Sequence, residues 1–182
     1  MSYRQEMLTF NQLFVANKEY ERFVTTKYPE RKVAILTCMD TRLIELLPAA
    51  LNLRNGDAKI IKNAGGIINH PFGSVMRSLL VCIYELGVNE IFVIGHYDCG
   101  MQNINTQAMT EKMLLRGVKE EDLEFIRYFN IDINEWLKGF ADPAESVKKT
   151  MKVIENHPLV PKDVLCSGYV MDPRTGQLDV VS

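Results

Sequence analysis

Two short, continuous apolar runs and a shorter strand-like segment between them, separated by helix-length segments, constrain the fold of this chain more than any other feature. Lys32 to Thr37, about Ala58 to Ile61, and Glu90 to Gly95 lack the in-out alternation of half-exposed strands. The first and third read instead as strands buried on both faces of a parallel sheet, and the second as a short strand beside them. Between them, Leu43 to Leu53 and Phe72 to Leu86 have helical length and are closed by Asn55-Gly56 and Gly87, both strong stop signals. Strand-helix repeats of this kind imply right-handed βαβ crossovers. The expected fold is α/β, with a mostly parallel central sheet flanked by helices.

The flanking segments extend this frame. Apolar Met7, Phe10, Leu13, Phe14 and Tyr20 recur at helical spacing from about Arg4 to Val24, predicting an amphipathic N-terminal arm that ends before Pro29. Such an arm can pack on a partner subunit. Thr110 to Arg116 and Glu120 to Tyr128 read as helical pieces of a charged segment covering one side of the domain. Pro143 to Asn156 reads as a helix with Asp142 as N-cap and Pro143 at its first position. Val164 to Met171 and Gln177 to Val181 flank a turn at Asp172 to Gly176, predicting a C-terminal β-hairpin. With 182 residues, 47% of them hydrophobic, the chain is expected to form a single domain over 1–182, residues 1–28 being its arm.

Two of the buried runs end in polar clusters. The first leads into Cys38-Met39-Asp40-Thr41-Arg42, and the third into His96-Tyr97-Asp98-Cys99. Ligands of open α/β sheets bind beyond the strand carboxyl ends, so Cys38, His96 and Cys99 are placed to converge. Two thiolates and an imidazole form a ligand set for catalytic zinc that leaves one position open. The thiolates formally cancel the charge of the ion, so bound water is acidified less than in a three-histidine site and needs local help. Asp40 can accept a hydrogen bond from that water, and Arg42 can hold Asp40 ionised and oriented. The adjacent Gly65-Gly66 lacks the Lys-Ser/Thr of a phosphate loop and reads as an active-site turn.

Cys38-x-Asp40-x-Arg42, the Asn63-Ala64-Gly65 turn and His96-x-x-Cys99-Gly100, in this order and spacing, resemble a β-class carbonic anhydrase, closely from Val33 to Met101. The resemblance implies that Cys38, His96 and Cys99 ligate Zn²⁺ and that Asp40 and Arg42 form a catalytic pair. It also implies that zinc-bound hydroxide attacks carbon dioxide to give bicarbonate and a proton. In the family Asp40 can instead swing onto zinc. Family members are homodimers or assemblies of dimers whose N-terminal helices reach onto the partner. This chain departs from the pattern at Gly66, where many members have Asn. At Ile35 and Lys62 some bacterial members carry the Trp and Arg of an inhibitory bicarbonate site. Bicarbonate inhibition of that form is therefore expected to be absent.

Composition narrows the alternatives. A formal charge of -2 with scattered Lys and Arg gives no nucleic-acid footprint. No apolar stretch approaches the ~20 residues of a membrane span, and none resembles a signal peptide. A cytoplasmic protein without structural disulfides is expected. Cys82 and Cys166 read as small buried hydrophobes. His70 and His157 read as capping or surface residues, and Trp136 and the methionines as packing residues. Two other functions use the same residues. One is a zinc hydrolase of carbonyl sulfide or carbon disulfide; the other is a non-catalytic zinc-binding protein.

Overall fold

The computed structural model describes residues 2–182. Its centre is a five-stranded sheet in the order β2-β1-β3-β4-β5. The strands are β1 (Val33–Cys38), β2 (Ala58–Asn63), β3 (Glu90–His96), β4 (Leu165–Met171) and β5 (Leu178–Val181). The first four run parallel, and β5 returns antiparallel to β4 as the predicted hairpin.

Burial on both faces explains the unbroken apolar runs. Every residue of β1 is buried. Ala34 and Leu36 face one layer, where Met76 and Leu79 of α3 (Ser74–Tyr84) meet Val147 and Ile154 of α7 (Pro143–Glu155). Val33 and Ile35 face the other, against Leu43 and Leu47 of α2 (Leu43–Ala50). Each of the Val, Leu, Ile and Met side chains removed from water there contributes about 1.5–3 kcal/mol. The one polar side chain inside β1, Thr37, donates its hydroxyl to the Ile94 carbonyl at 2.8 Å, which satisfies it without solvent. Cys38 is paired with Asn63 and Thr37 with Ile94. The carboxyl ends of β1, β2 and β3 therefore open on one edge.

Several boundaries differ from those read in the sequence. The N-terminal helix, α1 (Tyr3–Ala16), ends early because Lys18 takes a left-handed φ of 57°, and a separate 3₁₀ turn follows at Glu19–Phe23. No residue of α1 is buried. Helix α2 stops at Ala50, after Pro48, and α3 starts at Ser74 behind Gly73. Strand β2 continues to Asn63, two residues beyond its apolar part. Asp142 caps α7 as expected, accepting the Glu145 N–H at 2.8 Å. Between β3 and α7 lie α4 (Thr106–Leu115), α5 (Glu120–Arg127) and the unanticipated short α6 (Ile133–Leu137). Among the described residues, no helix is long and apolar enough to cross a membrane.

Candidate metal centre

Cys38 and His96 are the last residues of β1 and β3, and Cys99 follows in the loop after β3. All three are buried, and their donor atoms lie within 4.8 Å of one another. The Gly65 N–H reaches Cys38 Sγ at 3.4 Å. Its turn demands glycine: Gly65 and Gly66 have φ of 86° and 64°, and a Cβ on Gly66 would lie 3.0 Å from the Thr37 carbonyl carbon. The adjacent glycines thus let a backbone N–H approach a sulfur.

His96 holds its Nδ1 2.8 Å from the Tyr97 carbonyl. That contact assigns the proton to Nδ1 and leaves the Nε2 lone pair free. Nε2 is buried and has no hydrogen-bond partner. Burial opposes a positive charge on the ring, but Cys38 and the Tyr97 carbonyl outweigh it and raise the His96 pKa. The cluster therefore favours positive charge. A hydrogen bond from the Cys99 thiol holds Cys38 well below the usual thiol range, and the same contact with burial pushes Cys99 upward.

Asp40 stands at the rim, Oδ2 lying 3.8 Å from His96 Nε2. Arg42 Nε and Nη2 donate to its two oxygens at 3.0 and 2.9 Å, and the Arg42 backbone N–H adds 2.9 Å to Oδ1. These Arg42 hydrogen bonds hold the carboxyl at about 2 against the opposing effect of burial. Asp40 is thus an acceptor across the neutral range. Nearby Lys62 donates from Nζ to the Leu43 carbonyl at 3.2 Å. Burial lowers its pKa while the charges of Cys38 and Asp40 oppose that shift.

The residues fit a zinc ion. Cys38 Sγ and Cys99 Sγ are 3.8 Å apart, matching the ~3.8 Å that tetrahedral geometry gives for two thiolates ~2.3 Å from one zinc. An unpartnered imidazole nitrogen beside them completes a three-ligand set, and an orphaned buried acceptor of this kind is otherwise costly. The Cys-His-Cys site could therefore bind zinc.

All five residues singled out in the sequence meet at this edge. Asp98 was not singled out: it accepts Arg42 Nη1–H at 2.9 Å, and its backbone carbonyl accepts Nη2–H at 2.8 Å. Its left-handed φ of 52° is invisible in the sequence, although its place inside the second cluster was the available signal. His157 keeps the capping role but corrects the surface reading, being 3% exposed. Its Nδ1 accepts the Leu159 N–H at 3.2 Å, the ring lies 5.1 Å from that of Phe72, and Nε2 is unpartnered. His70 is exposed and caps its turn through the Phe72 N–H at 3.0 Å. Trp136 is 58% exposed rather than packed, because no layer covers α6. It borders a cavity of about 280 Å³ with Asn63, Ala64 and His70. All four cysteines are free, Cys82 being buried and Cys166 half-buried.

Fold and side-chain cluster together define an α/β protein with a candidate three-ligand metal site beside a fixed carboxylate. Residues 33–177 match the carbonic anhydrase family model. The chain is 52% identical to YtiB of Bacillus subtilis, provisionally named a carbonic anhydrase, over 100% of this chain and 97% of that one. The crystal structure of the β-carbonic anhydrase isoform I of Trichomonas vaginalis superposes with a TM-score of 0.90 at 37% identity, covering 100% of this chain and 98% of that one. A carbon disulfide hydrolase of Saccharolobus solfataricus is 35% identical over 82% of this chain and 76% of its own. The chain belongs to the β-carbonic anhydrase family.

Proposed function

We propose that this protein is a zinc carbonic anhydrase interconverting carbon dioxide and bicarbonate, with Cys38, His96 and Cys99 holding the metal and Asp40 and Arg42 acting as the catalytic pair. The observation that carries this reading is the unpartnered, buried Nε2 of His96 beside two thiols and 3.8 Å from Asp40 Oδ2. Zinc held there supplies a Lewis acid that makes water a nucleophile near neutral pH. The protein supplies orientation. The Tyr97 carbonyl fixes the His96 tautomer, and Gly65 N–H steadies the Cys38 sulfur. Asp40, kept ionised by Arg42, can only accept a hydrogen bond, so it turns a water's lone pair away from itself and toward a neighbouring electrophile. The proton released on hydration then passes to solvent. We further infer one domain over residues 1–182, a cytoplasmic location, and a homodimer or assembly of dimers, the last supported by the uncovered apolar side chains of α1.

Stopped-flow carbon dioxide hydration with metal analysis on the same sample tests this reading. Asp40→Ala should keep one zinc per chain and lose roughly 10²- to 10⁴-fold in rate, the range for a positioned proton acceptor. An inactive natural protein that holds zinc would overturn it. A second reading, hydrolysis of carbon disulfide or carbonyl sulfide, is supported by the 35% identity to a carbon disulfide hydrolase. Sulfide release from those substrates distinguishes the two.

A further inference from the structure

Arg42 is gripped on two sides. Its Nε and Nη2 serve the two oxygens of Asp40, while Nη1 donates to Asp98 Oδ2 at 2.9 Å and Nη2 also donates to the Asp98 carbonyl at 2.8 Å. Asp40 lies in the loop after β1 and Asp98 in the loop after β3. One guanidinium therefore fastens the loop that follows Cys38 to the loop that carries Cys99.

The energetic value of this contact is not its explanation. The Asp98 side chain is 86% exposed and that of Arg42 38% exposed, and ion pairs this open contribute little stability. Their geometry is another matter. A guanidinium is a rigid planar fork, and a second carboxylate on its other edge removes the freedom to tilt that a single pair leaves. Asp98 also adopts a φ of 52°, a backbone that Asp and Asn accept more readily than most residues. This conformation brings carbonyl and carboxylate of the same residue to one cation.

We propose that Asp98 is a positioning residue that fixes the Arg42 guanidinium and, through it, the Asp40 carboxylate at the metal centre. Its consequence for turnover rests on the carbonic anhydrase reading. Its consequence for Arg42 does not.

Two substitutions separate the side chain from the backbone. Asp98→Gly accepts the positive φ and keeps the carbonyl, so only the carboxylate is removed. Asp98→Asn tolerates the same φ and keeps an oxygen for Nη1. In zinc-loaded protein, hydrogen exchange at Arg42 Nε, followed by ¹⁵N NMR and assigned by its loss in Arg42→Lys, should quicken about fivefold in Asp98→Gly, the upper end of what an exposed ion pair contributes. It should return to within about twofold of the natural rate in Asp98→Asn, whose amide oxygen still accepts from Nη1. Carbon dioxide turnover should fall about fivefold in Asp98→Gly with KM and zinc content unchanged. That loss is smaller than the ~10- to 100-fold typical of outer partners, because this one is exposed, and Asp98→Asn should recover most of it.

Unchanged exchange in Asp98→Gly would overturn the grip on Arg42. Faster exchange with unchanged kcat would overturn the link to Asp40, and loss of zinc in both variants would make the residue merely structural. A natural protein inactive on carbon dioxide would defeat the functional reading alone, and the exchange result would still decide whether Asp98 holds Arg42.

Discussion

The carboxyl edge of β1 and β3 and the α4–α6 excursion, which leaves from that edge, are built on opposite terms. At the edge, Cys38 and His96 end strands whose side chains are almost all buried, Cys99 follows in the loop after β3, Arg42 ties the loop after β1 to that loop, and Gly65 ties the turn after β2 to Cys38. In the excursion no residue of α4, α5 or α6 is buried, while Leu115 is 87% and Tyr128 84% exposed. Only its neck is tightly tied. Asn103 N–H donates to the Phe140 carbonyl at 2.8 Å, Gln102 Nε2 to the Ala141 carbonyl at 2.8 Å, and Phe140 N–H to the Met101 carbonyl at 3.3 Å. Phe140 and Met101 in turn pack on Gly65, whose N–H faces Cys38. The lesson is that chemistry is mounted where the backbone is fixed on several sides. The excursion reaches the site region through this neck and through Trp136, which borders the cavity beside Asn63 and Ala64.

The largest expected effect lies at the edge. Cys38→Ser should cost more zinc affinity than the roughly 100-fold that a lost outer partner costs, because a hydroxyl does not replace a thiolate donor. Competitive chelation followed by metal analysis measures it. Retention of stoichiometric zinc against a chelator that strips a His96→Ala variant would show that Cys38 is not a donor, and would remove the contrast at its strongest point.

Next comes the neck. A Cβ at Gly139 would run into the Met101 carbonyl, backbone that cannot step aside. Gly139→Ala should therefore destabilise by about 1–3 kcal/mol, the usual range for overpacking. At roughly 2–4 °C per kcal/mol for a chain of this size, thermal denaturation should read several degrees. A Tm equal to that of the natural protein would mean that the neck is as loose as the helices it carries.

The same contrast explains what could be read from the sequence. Buried strands announce themselves through continuous apolar runs, so β1 and β3 and the clustering of Cys38, His96 and Cys99 at their carboxyl edge were legible, as were Asp142 and Pro143 at the start of α7. Contacts made by backbone were not. Nothing in the residue types says that Lys18 will turn left-handed and end α1, that Gly139 must admit a carbonyl, or that Asp98 will present two acceptors to Arg42. The burial of His157 was not legible, because a histidine before proline carries no signal of it. Its 3% exposure follows from tertiary packing against Phe72. Trp136 failed in the other direction, since hydrophobicity gives no notice that a helix will lack a covering layer.

The opposite end of the sheet sharpens the comparison through pH. Asp57, just before β2, accepts the Arg54 N–H at 2.9 Å and Arg31 Nε–H at 3.2 Å. The Arg54 backbone contact, then Arg31, hold its carboxyl below the usual range against burial. A folded-state pKa below the unfolded value of about 3.9 adds stability above that pH, which is lost as pH falls through the folded value. The Tm advantage of the natural protein over Asp57→Asn, the two carrying equal zinc at pH 7, should be present at pH 7 and shrink as the pH drops below 4. An advantage that grew on acidification would have the wrong sign and would exclude Asp57 as its source.

The smallest effect is expected in the body of the excursion, and it tests the comparison most directly. Leu115 ends α4 with its side chain in solvent, 87% exposed, so Leu115→Gln removes almost no buried apolar surface. Its stability change should stay within about 0.5 kcal/mol, and turnover per bound zinc should match that of the natural protein. A larger loss would mean that this face is covered in solution. Sedimentation of both proteins over a range of concentrations would then show whether a second copy covers it, since a dimer broken by the substitution would make Tm depend on concentration in one protein and not in the other. In that case the contrast between a rigid edge and a loosely held excursion would hold for the isolated chain and fail for the assembly.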